Sequence, residues 1–177
     1  MAQIWGVAVS QVFAGVDAAY NQSQAQAACL LFSDWAADKP KDVVTANVSS
    51  PASYEPGAFY KRELPVLLEV LKKVPRQLDA IVVDGYVWLD ENEKPGLGAR
   101  LYEALGRKTP VIGVAKTQYL GDCWSCPVNR GTSQRPLYVT AAGMAADDAA
   151  NAIGAMHGKH RIPTLLRQVD QAARKGL

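Results

Sequence analysis

Two short, almost unbroken apolar runs, Asp79 to Asp84 (DAIVVD) and Pro110 to Ala115 (PVIGVA), constrain the fold of this chain more than any other feature of its sequence. A run of that length without polar alternation reads as a strand buried on both faces, and such strands belong to parallel sheets covered by helices. Between the two runs, Gly96 to Leu105 reads as a helix. Strand, helix, strand at this spacing is a βαβ crossover.

The segment ahead of the crossover has a different rhythm. Val12 to Tyr20 (VFAGVDAAY) alternates Phe13, Gly15, Asp17 and Ala19 on one face with Val12, Ala14, Val16 and Ala18 on the other, as a strand does. After an Asn21-Gln22-Ser23 turn, Gln24 to Phe32 is β-capable, although its alanines leave a helix open, and the β-branched run Asp42 to Val48 supplies a third strand. This predicts an antiparallel three-strand meander. Ser49 to Gly57 carries two prolines and a glycine and reads as loop, and Arg62 to Lys73 spaces Leu64, Leu67, Leu68 and Leu71 as an amphipathic helix. Pro65 is expected within the first turn of that helix, where its missing N–H is not needed. Gly121 to Arg135 reads as an exposed loop, Pro136 to Thr140 as a short strand, and Ala145 to Met156 and Thr164 to Lys175 as closing helices. The fold class that follows is α/β: a mixed sheet, the meander followed by parallel strands, flanked by helices. At 177 residues it is expected to form a single domain over 1–177.

Composition narrows the function classes. Lys and Arg number 19 against 17 Asp and Glu, so no strong overall field marks a polyanionic partner, and any nucleic-acid contact must use local patches. No run approaches the roughly 18 apolar residues of a membrane span, and the opening MAQIWGVAVSQVFAG lacks a basic leader. With Cys29, Cys123 and Cys126 an odd set, a reducing compartment is expected. These features predict a cytoplasmic protein with no membrane partner.

Charged residues that break the apolar pattern are where chemistry is sought, because an unpaired buried carboxylate is costly. Asp17 interrupts the first strand, Asp84 ends the first parallel strand, and Glu63 opens the helix between them. The carboxyl ends of parallel strands gather ligands, and Mg²⁺ prefers carboxylate oxygens, so the three acids can share one metal. Turn capping by Asp17 and Asp84 and a helix-dipole role for Glu63 account for the same residues. Lys116 leaves the second buried strand, suited either to stabilising charge on a phosphate or to a salt bridge with Asp84. Tyr54 sits on a proline-stiffened loop, Ser53 to Gly57, where an aromatic ring either stacks on a base or packs on its own protein. Gly96-Leu97-Gly98 lacks the strand and third glycine of a dinucleotide fingerprint but allows close backbone approach to a flat base. Cys123-x-x-Cys126 with His157-x-x-His160 invites zinc, against which the close spacing of the histidines argues.

In order along the chain, AGVDAAY, YEPGAFYKRELPVLLE, LDAIVVDG, PGLGARL, TPVIGVAKT and RPLYVT together resemble the endonuclease V family, whose members have an RNase H-like fold. The resemblance covers about residues 12 to 140. It implies that Asp17, Glu63 and Asp84 hold Mg²⁺, with Mn²⁺ as a substitute, and that Lys116 supports catalysis. It also implies nucleic-acid contacts at Tyr54, Pro56, Gly57, Phe59, Gly85 and Gly98, with Tyr54 in a wedge beside a deaminated base. The implied activity is hydrolysis of the second phosphodiester bond 3′ to inosine, in DNA or RNA, by a monomer engaged in DNA repair. Ser53 stands where the wedge usually has proline, and Ala142, Gly143 and Met144 occupy the stretch where a histidine is expected, which implies either one well-held metal or a weaker second site. Two other readings remain: an RNase H-like nucleic-acid-binding module with weak or no nuclease activity, and an RNase H-like nuclease of other specificity.

Overall fold

The structure, a computed structural model, describes residues 11–49, 51–53 and 55–177. In chain order the elements are β1 (Phe13–Tyr20), β2 (Gln24–Phe32), β3 (Asp42–Ser49), α1 (Tyr60–Lys72), β4 (Ala80–Asp84), α2 (Leu97–Ala104), β5 (Val111–Ala115), β6 (Cys126–Val128), β7 (Leu137–Ala142), α3 (Ala146–Ala155) and α4 (Thr164–Arg174). They build one seven-stranded sheet in the order β3-β2-β1-β4-β5-β7-β6. The expected α/β architecture is present: β1, β2 and β3 pair antiparallel, and β1, β4 and β5 run parallel at the centre.

Local chemistry sets each junction. Asn21 closes the first hairpin by accepting the N–H groups of Ser23 and Gln24 on its Oδ1, at 2.9 and 2.8 Å. At the opposite end of β1, the Val12 N–H donates to Asp79 Oδ2 at 2.7 Å and the Asp79 N–H returns a bond to the Val12 carbonyl at 2.8 Å. That double tie aligns the entry to β4 with the entry to β1. The alternation read in β1 is the one observed, because Ala14 and Val16 face one core while Phe13 faces the other. The first core lies under α1 and α2 through Val66, Leu67, Leu97 and Leu101, and the second lies under α3 and α4 through Ile153, Leu165 and Val169.

Three expectations need correction. Helix α1 begins at Tyr60, so Pro65 falls in its second turn rather than its first. The Lys61 carbonyl therefore receives no N–H from Pro65, and burial of Val66, Leu67 and Val70 holds the helix despite that loss. The stretch Gly121 to Arg135 is not all loop: Cys126–Val128 forms β6, a three-residue strand with Pro127 at its centre that pairs with β7 at the margin of the sheet. Finally, β7 extends to Ala142 and runs antiparallel to β5.

The turn that follows β4 rests on a side chain from β7. Thr140 is fully buried, and its Oγ1 accepts the Val87 N–H at 2.8 Å. Gly113 makes room for this approach, since a Cβ there would lie 2.8 Å from that hydroxyl and 2.6 Å from the Gly85 carbonyl. Replacing Thr140 by Val keeps the volume and orphans a buried N–H. Thr140→Val is expected to lower unfolding stability by about 1–3 kcal/mol, read as a lower urea midpoint with unchanged slope.

Candidate active site

Parallel pairing brings the first two acids together. The register that sets Val16 beside Val83 makes Asp17 and Asp84 the next step along two adjacent strands, and Asp84 in turn lies beside Val114, two residues before Lys116. Glu63 arrives from α1, on the other side of the sheet. The first turn of α1 is tied to the end of β1, because the Tyr20 hydroxyl donates to the Arg62 carbonyl at 3.3 Å and the Arg62 guanidinium lies 4.0 Å from the centre of the Tyr20 ring.

A cavity of about 260 Å³ opens between these strand ends and α4, lined among others by Asp17, Asp84, Lys116, Arg167 and Asp170. Lys116 Nζ contacts Asp84 Oδ2, so the salt bridge read as one alternative for this lysine is present. Half of the Lys116 side chain is still exposed, which leaves its ammonium free to turn toward a ligand. Asp17 Oδ1 accepts the Ala18 N–H at 2.8 Å. Among the described residues, no three Asp, Glu, His or Cys side chains are drawn into a ready ligand shell.

The acids nevertheless feel one another. Burial pushes the Asp17 carboxyl up to about 6, and the charges of Asp84 and Asp170 add to the rise against the pull of the Ala18 N–H and Lys116. Burial likewise lifts Glu63 to about 7, reinforced by Asp17 and Asp84 and opposed by Arg62. For Lys116, burial disfavours the charge, yet its bond to Asp84 and the fields of Asp84, Asp17 and Asp170 outweigh that and raise its pKa. This is a nest of mutually repelling carboxylates served by one lysine, the electrostatic setting that a hard cation relieves.

Asp170 is the residue that reading the sequence missed. It lies on α4 beside the buried Val169 and pairs with Arg174 at 2.8 Å. The signal was available: Leu165, Leu166, Val169 and Ala173 mark the inner face of α4, and Asp170 sits on its border four residues after Leu166. Tyr86 was also passed over. Tyr86 is buried, and its hydroxyl donates to the Thr117 carbonyl at 3.2 Å and accepts the Tyr119 N–H at 3.0 Å, fastening the segment after Lys116 to the end of β4.

The expected nucleic-acid contacts are distributed around the acids. Tyr54 lies outside the described residues. Pro56 and Gly57 occupy the middle of an exposed turn in which the Ala58 N–H bonds the Glu55 carbonyl at 3.0 Å, and Gly57 has a φ of +77°. Proline then glycine at those places makes a type II turn. Phe59, 41% exposed, precedes α1. Gly85 follows Asp84 directly with a φ of +127° and open space where a Cβ would project. Gly98 is buried at the start of α2, where a Cβ would strike Val87 Cγ2 at 2.7 Å, so packing alone demands glycine there. One member of each of the cysteine and histidine pairs has a partner of its own, Cys126 Sγ bonding Asp147 at 3.5 Å and His157 Nδ1 bonding Thr164 at 3.0 Å.

The raised carboxyls carry a sign for stability. Their unfolded values are 3.8 and 4.5 against about 6 and 7 when folded, so between roughly pH 4 and pH 7 the folded chain holds more protons than the unfolded one. Their destabilisation is absent near pH 3, grows as the pH rises through 4 to 7, and is complete near pH 8. In chelator, the Asp17→Asn/Glu63→Gln double variant is expected to match the wild type near pH 3. By pH 8 it should melt at least roughly 5 °C higher, since even a third of what the two raised carboxyls cost in full is about 2 kcal/mol. A difference that does not grow with pH in thermal denaturation would contradict this reading.

A profile of the endonuclease V family matches residues 5–171. Curated endonuclease V proteins from Bacillus thuringiensis subsp. konkukian and Geotalea uraniireducens are 31% and 33% identical over 110 and 124 residues, covering 60% and 69% of this chain and 46% and 50% of theirs. The chain thus spans about half the length of the curated relatives it matches. The crystal structure of endonuclease V from Streptomyces avermitilis superposes with a TM-score of 0.75 at 26% identity, covering 94% of this chain and 81% of that one. Endonuclease V from Ciona intestinalis, solved with a 24mer DNA containing an inosine followed by a ribo-adenosine, shares the fold with a TM-score of 0.77 at 18% identity over 96% of this chain and 87% of its own. With the profile running through β1, α1 and β4, which carry Asp17, Glu63 and Asp84, and through β5, which Lys116 directly follows, this chain belongs to the endonuclease V family.

Proposed function

We propose that this chain is a metal-dependent endonuclease that cuts inosine-containing nucleic acid at the second phosphodiester bond 3′ to the inosine, in the service of DNA repair. The observation that carries the reading is the meeting of Asp17, Asp84 and Lys116, from three parallel strands, at one cavity with Asp170 facing them and Glu63 coupled to them by charge. Residues Asp17, Glu63 and Asp84 would hold Mg²⁺, or Mn²⁺ in its place, and Asp170 adds a fourth carboxylate to the cavity. Their chemistry fits, since each donor is a hard oxygen and a divalent cation would offset both the burial that chiefly lifts Asp17 and Glu63 and the repulsion that adds to it. Such an ion supplies charge stabilisation at a phosphate and a bound water of lowered pKa.

The chain's own groups do the rest. Lys116 Nζ, free to leave Asp84, gives a positive charge to a non-bridging phosphate oxygen as negative charge develops there. Arg167 and Arg174 on α4 hold the phosphate backbone over the cavity that they help to line. On the other flank, the type II turn at Pro56 and Gly57 fixes the approach of Tyr54 and Phe59 to a nucleobase, where aromatic faces stack without regard to sequence. Gly85 offers backbone with no side chain beside Asp84, and Gly98 lets α2 close on the Tyr86–Val87 turn, its N–H bonding the Tyr86 carbonyl at 3.0 Å. These features suit a flat base turned out of its stack, a step that costs a few kcal/mol and is easiest at a mispaired inosine.

The test compares an oligonucleotide carrying one inosine with its adenine control, in DNA and RNA and with and without Mg²⁺. Cleavage is expected only with inosine and metal, and Asp84→Asn should reduce it at least about 100-fold while leaving oligonucleotide binding measurable. Asp84→Asn cutting as fast as wild type would overturn the assigned site. Ala142, Gly143 and Met144, standing where the family's histidine is expected, favour one competing reading, a nucleic-acid-binding module. Tight metal-independent binding to inosine strands without product would decide for that module.

A further inference from the structure

Arg161 lies in the connection between α3 and α4, three residues before α4 begins. Its Nη2 donates to the Lys116 carbonyl and, at 2.8 Å, to the Pro136 carbonyl. The first carbonyl lies just past the end of β5 and the second just before β7, neighbouring strands paired through Ala115 and Tyr138. Arg161 Nε is buried with no partner, and among the described residues the guanidinium makes no ion pair. A cation drawn partly out of water and held only by main-chain oxygens is costly, so its placement calls for a reason.

The support beneath it is stiff. Arg130, itself buried, donates to the carbonyls of Met156, Gly158 at 3.2 Å and His160 at 3.4 Å, clamping the same connection from the β6–β7 side. At Gly131 a Cβ would stand 2.0 Å from the Lys159 carbonyl, so the two backbones lie directly against each other. Beyond Lys116 the chain is exposed through Gly121, and Tyr86 anchors it further along, donating to the Thr117 carbonyl and accepting the Tyr119 N–H.

We infer that Arg161 is a positioning residue for Lys116: by gripping the Lys116 carbonyl from a clamped base, it sets where the chain leaves β5 and so where the ammonium meets the reacting phosphate. Lysine is long and flexible, and its head is placed only as well as its backbone is held. The inference rests on the role proposed above for Lys116.

The experiment measures kcat and KM on the inosine oligonucleotide with Mg²⁺, together with melting temperature, for wild type, Arg161→Met, Lys116→Ala and the double variant. Arg161→Met is expected to lose roughly 10- to 100-fold in kcat with KM little changed, the loss that a misplacement of about 1 Å brings. In the Lys116→Ala background the same change should cost almost nothing. An equal loss in both backgrounds, or a rise in KM alone, would give Arg161 a separate contact with substrate and overturn the inference. A slow Lys116→Ala beside an Arg161→Met as fast as wild type overturns the inference alone. A Lys116→Ala as fast as wild type overturns the reading of Lys116 as well. Should Arg161→Met fail to fold, Arg161→Lys takes its place: it keeps the charge but not the fork. An intermediate kcat is expected, with a shifted ¹⁵N resonance for Thr117, whose amide shares a peptide group with the Lys116 carbonyl. An unmoved resonance with wild-type kcat contradicts the proposal.

Discussion

Parallel pairing of β1 with β4, and of β4 with β5, is the constraint on which the site depends. Because the register sets Val16 against Val83 and Asp84 against Val114, carboxylates far apart in sequence become neighbours at one end of the sheet. The alignment does not originate at the site. It is imposed at the opposite ends of β1 and β4, by the reciprocal bonds between Val12 and Asp79, and along the strands by valines and isoleucines packed on both faces. The apolar cores on either side hold the acids in place against their repulsion. Charge crowding at the strand ends is thus sustained by hydrophobic burial elsewhere, and burial first, with the crowding added to it, raises the proton affinity of Asp17 and Glu63.

The parts of this arrangement legible in the sequence are those with local signals. Strands β1, β4 and β5 announce themselves by alternation or by unbroken apolar runs, and Asp17 and Asp84 stand out because they violate those patterns. The start of α1 was hidden because Tyr60 and Lys61 carry no distinctive N-terminal signature and Pro65 draws the reading toward a later start. β6 was hidden for a different reason: three residues with a proline at the centre have no periodicity, and only pairing with β7 makes them a strand. Asp170 was marked by its spacing as a border residue of α4, and the packing of α4 across β1 adds that this border faces the acids.

Two arginines and two glycines organise the rear of the site. Arg130 and Gly131 fasten the α3–α4 connection, Arg161 reaches from it to the end of β5, and Gly113 lets the turn after β4 close down on Thr140. None of these four contributes a carboxylate, and their spacing in sequence suggests no common purpose. Together they hold the backbone at the exits of β4 and β5, where a displacement of an ångström would matter most.

The short margin strand β6 has a consequence beyond the site. Proline cannot donate to a neighbouring strand, and three residues give little template for one, so Pro127 shuts that flank against recruitment of foreign chain. The other flank, β3, runs eight residues and leaves Val43 46% exposed. Among the described strands, β3 is therefore where crowding or partial unfolding would let one molecule stitch itself to the next.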